Sequence, residues 1–153
     1  MMRTSPLLAI TERPLNPPDA PTTAMHPIVF FDGVCGLCNG AVDFLLRIDH
    51  RGVLRFAPFQ GETALAQLGE AVTQQLTTIV LVDAQGQHTQ SDAVLRILVH
   101  VGGVWRLAAL GRVVPRFVRD ALYAWVARHR YGWFGVHETC RMPTPAERGR
   151  LLP

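Results

Sequence analysis

The sequence predicts an α/β fold, and three observations lead to that prediction. Ile28–Phe31 is a short apolar run of the kind that a buried strand shows. A Cys-x-x-Cys motif follows it and opens a segment whose apolar residues have helical spacing. Further along, residues 77–83 are β-branched and apolar, which predicts a central strand. The expected element order is β-α-β-α-β-β-α, followed by additional C-terminal helices.

The first strand leads through the turn Asp32-Gly33 to Cys35 and Cys38. Apolar residues at 41, 42, 44, 45 and 48 continue as a helix, so the cysteines lie in its first turn. Unpaired N–H groups and the positive dipole end stabilise an anion there. Thiol pKa values in such places fall from about 8.5 to roughly 3.5–7.5. We therefore expect dithiol–disulfide chemistry, with Cys35 as the more exposed attacking thiolate and Cys38 as the resolving thiol.

The elements after the first helix follow from alternation and turn residues. Residues 53–56 alternate like a strand, and residues 61–69 predict a short helix. The strand 77–83 is followed by a turn at 84–86. The chain then returns through the short polar strand 87–90, which predicts a hairpin.

Three helices are expected in the remaining chain. Residues 93–100 have a nearly continuous apolar surface, which predicts a buried helix, and residues 104–110 predict a second one. The third runs from Pro115 to about residue 129, because proline suits the first helical turn. Its predicted apolar stripe consists of Val118, Ala121, Leu122, Trp125 and Val126.

This element order, with a reactive dithiol directly after the first strand, is the thioredoxin-like plan. One departure concerns the loop before the third strand. Thioredoxins place a cis-proline there to shape the partner-binding groove, whereas residues 76–79 contain no proline. The sequence therefore supports the thiol chemistry but does not predict docking of a partner through the usual groove.

The chain of 153 residues is long enough for one domain with its own hydrophobic core. Residues 1–26 are rich in proline and lack periodicity, so we expect a disordered leader. Met25 is a candidate start codon, which leaves open whether residues 1–24 are translated. The domain itself, with its helical extension, is expected to span residues 27–142, and residues 143–153 are expected to form a flexible tail.

Targeting and membrane signals are weak in this sequence. No apolar run reaches the roughly 18–20 residues that span a bilayer, and the apolar stretch 7–10 is too short for a signal peptide. We therefore expect a cytoplasmic protein. In that compartment a single Cys-x-x-Cys is more often catalytic or metal-binding than a structural disulfide.

The charge and the aromatic residues raise two possible partners, nucleic acid and a membrane surface. The formal net charge is +3, and every basic side chain is an arginine, but no nucleic-acid-binding module is present. Aromatic residues lie near the C-terminal arginines, which is also typical of a helix on a membrane surface. We prefer packing of these aromatics in the core, with the arginines on a solvated helix face, and we expect contact with neither nucleic acid nor a membrane surface. The aromatics concerned are Trp105, Tyr123, Trp125, Tyr131 and Trp133.

The pattern Asp-x-x-Cys-x-x-Cys is present as Asp32, Cys35 and Cys38. With it, the chain resembles the DCC family of predicted thiol–disulfide oxidoreductases from about Ile28 to the C-terminus. The resemblance implies a thioredoxin-like fold and identifies Cys35 and Cys38 as the redox residues. The matching segments are FFDGVCGLCN, the helix 40–48, GGVWRLAAL, VPRFVRDALYAWVARHRYGWFG, and Cys140 followed by Pro143 and Pro145.

Two roles are open for Asp32, three residues before Cys35. It could act as a general base or tune the thiol pKa, or its carboxylate could accept backbone N–H groups in the turn. We prefer the turn role. An acidic neighbour would raise the pKa of Cys35 and partly oppose the dipole effect.

The expected reaction needs no bound cofactor, because the electrons pass through the dithiol itself. The chain lacks a Gly-x-Gly-x-x-Gly fingerprint, so we do not expect a bound nicotinamide. The expected partner is a disulfide-containing protein or a small thiol. A separate thiol-reducing system would supply the reducing equivalents.

The alternative function is a zinc-stabilised or structural interaction module. Cys35 and Cys38 could form a tetrahedral Cys₃His site with His137 and Cys140. Against this, the two pairs are about 100 residues apart and only one Cys-x-x-Cys exists. Cys140 could also be a third redox thiol, although a buried tail cysteine is the simpler interpretation.

Overall fold

A mixed four-stranded sheet organises the computed structural model, which describes residues 26–70, 73, 78–137 and 142–153. The sheet order is β2-β1-β3-β4. Strand β1 runs parallel to β2 and antiparallel to β3, which forms an antiparallel hairpin with β4. These directions match the thioredoxin-like plan, and the predicted fold class is confirmed. The strands are β1 (Ile28–Phe31), β2 (Arg55–Pro58), β3 (Val80–Asp83) and β4 (Gly86–Thr89).

Five helical elements accompany this sheet in the described residues. They are α1 (Gly36–Ile48), α2 (Glu62–Leu68), α3 (Gln90–Val101), the 3₁₀ helix η1 (Gly103–Val113) and α4 (Arg116–Phe134).

The boundaries of several elements differ from the predictions. The expected helix 104–110 is a longer 3₁₀ helix, and Pro115 is the N-cap residue of α4 rather than part of its first turn. Helix α4 passes the predicted end at 129 and stops where Gly135 adopts a φ of 75°, a left-handed conformation that favours glycine. Strand β2 starts late because the Asp49 carboxylate accepts the N–H groups of Val53 and Leu54.

Two apolar clusters cover the two faces of the sheet, because alternate strand residues point to opposite sides. On one face Val29 and Phe31 pack with helices α1 and α3. On the other face Phe30 packs with α2. The first cluster comprises Val29, Phe31, Val42, Leu45, Leu54, Phe56, Leu81, Ala93, Ile97, Val101 and Leu151. The second comprises Ile28, Phe30, Ala57, Phe59, Ala64, Leu68 and Val80.

The C-terminal residues, expected to be a flexible tail at 143–153, instead pack against the edge strand β2. The N–H of Phe56 donates to the Arg150 carbonyl at 2.8 Å, and the N–H of Leu152 donates to the Phe56 carbonyl at 2.7 Å. Leu151 is buried, and Arg150 forms an ion pair with the buried Asp49. The tail thereby satisfies backbone groups that an edge strand leaves unpaired. The leader, apart from His26, lies outside the described residues.

Most of the predicted apolar stripe of α4 faces outward, and only Val126 is half-buried. Val118, Leu122 and Trp125 are 45%, 63% and 48% exposed. Trp133 is also exposed, whereas Trp105 packs against the core and Tyr123 is half-buried. Packing of aromatics in the core is thus wrong for Trp125 and Trp133. Among the described residues, no helix combines the length and the apolar character needed to cross a bilayer.

Candidate active site

The dithiol lies where α1 begins, at the end of β1 and its turn. Cys35 is the N-cap residue of α1, and its Sγ accepts the backbone N–H of Cys38 at 3.4 Å. Both thiols are free. A sulfur at this position receives an N–H group that the helix leaves unpaired, and it lies at the positive end of the helix dipole.

The exposure of the two thiols is the reverse of the prediction. Cys35 is 0% exposed, whereas Cys38 is partly exposed. The cause is the segment 135–137 after α4, which we call the strap. The N–H of Gly36 donates to the Gly135 carbonyl at 3.2 Å, and the N–H of His137 donates to the Val34 carbonyl at 2.7 Å. The strap therefore covers the Cys35 side of the loop like a short added strand.

Asp32 is buried beneath the dithiol loop. Its carboxylate makes the expected contact with the turn, and it also contacts side chains near the thiols. One carboxylate oxygen, Oδ1, accepts the Val34 N–H at 3.2 Å and the Gln60 side-chain amide at 3.0 Å. The other, Oδ2, accepts the Tyr131 hydroxyl and lies 3.5 Å from Nη2 of Arg130. The carboxylate thus holds the turn, and it also pairs with a cation that the sequence did not reveal.

That cation, Arg130, is 3% exposed and lies between the acid and the dithiol. Its Nη1 is 3.5 Å from Sγ of Cys38, and its Nη2 donates to the Tyr131 hydroxyl at 2.9 Å. Burial opposes the charge of the guanidinium, but the neighbouring Cys38, Tyr131 and Cys35 raise the pKa of Arg130 above its usual value. The site therefore contains a permanent positive charge beside Cys38.

The electrostatics distinguish the two thiols. Burial raises the pKa of Cys38 from 9.0 to about 12, assisted by the hydrogen bond and the negative charge of Cys35, while Arg130 works in the opposite direction. At neutral pH the Cys38 thiol therefore keeps its proton. Tyr131 has a raised pKa as well, because of burial and its hydrogen bond to Asp32, so it remains a proton donor to that carboxylate.

An apolar cavity of about 210 Å³ adjoins the partly exposed thiol. Cys38 and Arg130 lie in its wall, and the inner face of α4 forms one side. The hydroxyl of Tyr123 accepts the Ile79 N–H and the Thr78 hydroxyl, both at 2.9 Å. This contact occupies the loop in which thioredoxins place their cis-proline. The apolar lining includes Phe31, Leu37, Ala41, Ile79, Val94 and Val126.

The ligands of the zinc alternative do not assemble in the described part of the chain. No three His, Cys, Asp or Glu side chains converge there, so Cys35, Cys38 and His137 do not form a three-ligand set. His137 is exposed and contributes its backbone N–H to the dithiol loop. Cys140 lies outside the described residues.

Three residues of the site escape the sequence analysis, namely Gln60, Arg130 and Tyr131. Arg130 is 92 residues from Cys38, and the sequence pattern places the arginines of its helix on a solvated face. One signal points to it. Arg130 lies off the apolar stripe of α4, so an outward stripe allows Arg130 to point inward. Only the orientation of α4 shows which face is buried.

Comparison with known proteins shows which family the chain resembles. Residues 29–136 match the family model described as DCC1-like thiol–disulfide oxidoreductase. The uncharacterized protein YuxK of Bacillus subtilis is 38% identical over 128 residues, which cover 82% of this chain and 93% of that protein. A chloroplastic DCC family protein of Arabidopsis thaliana is 38% identical over 121 residues, 76% of this chain and 70% of that protein.

No solved structure matches the chain significantly. The family model extends from β1 to the strap, so it includes Asp32, both thiols and Arg130. The chain belongs to the DCC1-like thiol–disulfide oxidoreductase family.

Proposed function

We propose that the protein catalyses thiol–disulfide exchange through Cys35 and Cys38. One observation carries the proposal: Cys35 caps α1 and accepts the Cys38 N–H at 3.4 Å, while the buried Arg130 lies 3.5 Å from Cys38. A helix start and a cation both favour a thiolate. Membership of a thiol–disulfide oxidoreductase family supports the same general chemistry.

The reaction proceeds in two exchange steps. The Cys35 thiolate attacks one sulfur of the partner's disulfide, which forms a mixed disulfide and releases the other partner sulfur as a thiolate. Cys38 then gives its proton to solvent and attacks the Cys35 sulfur, and the partner sulfur bound to Cys35 leaves as a thiolate. This second step releases the partner and leaves a Cys35–Cys38 disulfide, so two electrons have passed to the partner. Two electrons from a separate thiol-reducing system restore the dithiol, and no bound cofactor is required.

The burial of Cys35 means that the strap must shift before a partner disulfide can reach it. The strap is connected to the loop by a few backbone hydrogen bonds, and its first residue is the left-handed Gly135. Asp32 acts in this scheme as a positioning residue, because it contacts the turn, Tyr131 and Arg130 rather than the reacting sulfurs.

The surroundings of Cys38 bear on the partner and on the compartment. The apolar cavity suits an apolar group beside the reacting sulfur of a disulfide-containing protein or a small thiol. The Ile79 N–H already donates to Tyr123, so an extended peptide cannot pair with it in the usual way. We place the protein in the cytoplasm, where cysteines such as these two free thiols stay reduced.

Single-cysteine variants test the assignment of roles. We expect Cys38→Ser, in a Cys140→Ser background, to form a stable mixed disulfide with a small aromatic disulfide at pH 7. The matched Cys35→Ser variant should react at least about tenfold more slowly, because its remaining thiol keeps its proton. Mass spectrometry of the adducts and stopped-flow rates provide the measurement. Faster reaction of Cys35→Ser would reverse the roles, and equal slow rates in both would refute the proposed function.

A further inference from the structure

The 3₁₀ helix η1 exposes a line of large apolar side chains. Val104, Leu107, Leu110 and Val113 are 69%, 62%, 66% and 84% exposed. They recur at every third residue, and a 3₁₀ helix has three residues per turn, so all four lie along one edge of it. This apolar edge lies on the surface of the protein, because no residue of η1 is buried.

Helix α4 also exposes large apolar side chains, on its side away from the cavity. Val118, Leu122 and Trp125 follow one another at spacings of three and four residues, so they share one face. Trp133 extends that face, because its ring centroid lies 5.1 Å from that of Trp125. We call these four residues, with the four of η1, the outer face, since only Val114 and Pro115 separate the two elements along the chain. Large exposed apolar side chains in this number indicate an interaction site.

The charge around the outer face is strongly positive. Residues 103–137 contain six arginines and a single acidic residue, Asp120, which leaves a formal +5 on this segment, although Arg130 is buried in the site and paired with Asp32. The whole chain carries only +3, so all other residues together carry −2. Asp120 is itself bound by Ser91 and Arg116. The exposed arginines of the segment are Arg106, Arg112, Arg116 and Arg128.

From this combination we infer that the outer face docks the protein on the surface of an anionic lipid bilayer. Tryptophan, leucine and valine insert at the level of the headgroups, and arginines beside them attract anionic lipids. A second copy of the chain docked through the same face would bring its four exposed arginines towards the same four of the first copy. The inference reverses the sequence-based expectation, which assumed that Trp125 and Trp133 are buried.

Vesicle binding by the full chain tests this inference. We expect sedimentation with vesicles that contain phosphatidylglycerol, little binding to pure phosphatidylcholine, and weaker binding as salt rises, because screening shortens the reach of the arginines. Tryptophan emission should shift to shorter wavelength on binding, since Trp125 and Trp133 leave water. Absence of binding to the anionic vesicles, or binding without this shift, would refute the inference.

Substitutions on the outer face should separate its apolar and charged contributions. Leu122→Gln and Leu110→Gln should weaken vesicle binding at least about fivefold each. Arg128→Gln should weaken it about fivefold and reduce the salt dependence. The matched controls are Leu65→Gln, an equally exposed leucine on α2, and Arg47→Gln, an exposed arginine on α1. If the control substitutions weakened vesicle binding as much as the outer-face substitutions do, the inference would be contradicted.

Two further measurements separate lipid binding from misfolding and from self-association. Circular dichroism should show that Leu122→Gln folds, and its exchange rate with a small disulfide should equal that of the parent chain. Sedimentation velocity without lipid should give a monomer. A concentration-dependent dimer that Leu122→Gln abolishes would mean that a second copy covers the outer face, and the membrane inference would then fail.

Discussion

A buried arginine dominates the site at the scale of single residues. Arg130 contacts Cys38, Tyr131 and Asp32 although it is 3% exposed. A charge buried to this degree is tolerated only when it is paired. Oδ2 of Asp32 lies 3.5 Å from its Nη2, and Sγ of Cys38 lies 3.5 Å from its Nη1. The arginine therefore links the acid to the dithiol.

Removal of this cation should shift the thiol titration. In Arg130→Gln we expect alkylation of the dithiol to slow by about tenfold at pH 7, because a nearby positive charge favours the thiolate and its loss raises the thiol pKa. The pH profile of alkylation should move to higher pH, and Arg130→Lys should recover part of the change. Arg128→Gln, an exposed change on the same helix, is the control. An unmoved profile in Arg130→Gln would show that its charge does not act on the thiols.

At the scale of elements, the strap decides which thiol meets solvent. The end of α4 and the strap approach the first turn of α1 so closely that a Cβ at Gly36 would overlap the Phe134 carbonyl oxygen and lie 3.3 Å from the Gly135 carbonyl oxygen. Glycine is therefore required between the two cysteines, and the reason is this approach rather than the conformation of α1. The second helical glycine of this region, Gly40, has no such neighbour within 4 Å.

The substitution Gly36→Ala should lift the strap. We expect the free energy of unfolding to fall by about 1–3 kcal/mol through the forced displacement, and Cys35 to become more reactive towards alkylation as it gains access to solvent. Gly40→Ala should leave Cys35 unchanged and stabilise α1 by up to about 1 kcal/mol. Urea unfolding and alkylation, in chains that keep Cys35 as their single cysteine, give both quantities. Slower alkylation in Gly36→Ala would mean that the strap does not restrict access.

At the scale of the whole molecule, the C-terminal tail joins parts of the chain that are distant in sequence. Arg150 reaches Asp49, a fully buried carboxylate after α1, whose oxygens also accept the N–H groups of Val53 and Leu54 at 3.1 and 2.9 Å. The tail also provides a neighbour for the edge strand β2. Both contacts oppose fraying of the sheet.

Loss of the Arg150 charge should destabilise the whole fold. We expect Arg150→Met to lower the free energy of unfolding by about 2–4 kcal/mol, because it leaves the buried Asp49 charge without its cation. Arg148→Met, an exposed change in the same segment, should have little effect. The double variant Asp49→Asn with Arg150→Met should be less damaged than the sum of the single changes. If the two single losses in free energy of unfolding added up to the loss in the double variant, the two side chains would not be coupled.

Local sequence patterns are sufficient for several central features of this protein. They predict β1, the dithiol at the start of α1 and the β3–β4 hairpin, because alternation and turn residues depend on neighbours in the chain. The Asp-x-x-Cys-x-x-Cys motif also brings Asp32, Cys35 and Cys38 to one loop. These features predict the fold class, and they predict the thiol part of the candidate site.

Long-range contacts determine the features that the sequence did not reveal. The burial of Cys35 depends on the strap about 100 residues away, and the cation at Cys38 comes from a helix whose exposed stripe has the pattern of a core face. A helical pattern shows that two faces differ, but not which of them meets the protein. The composition of the tail likewise predicts flexibility, whereas β2 offers unpaired backbone groups that hold it. Each of these outcomes depends on contacts between residues far apart in sequence, which local propensity does not encode.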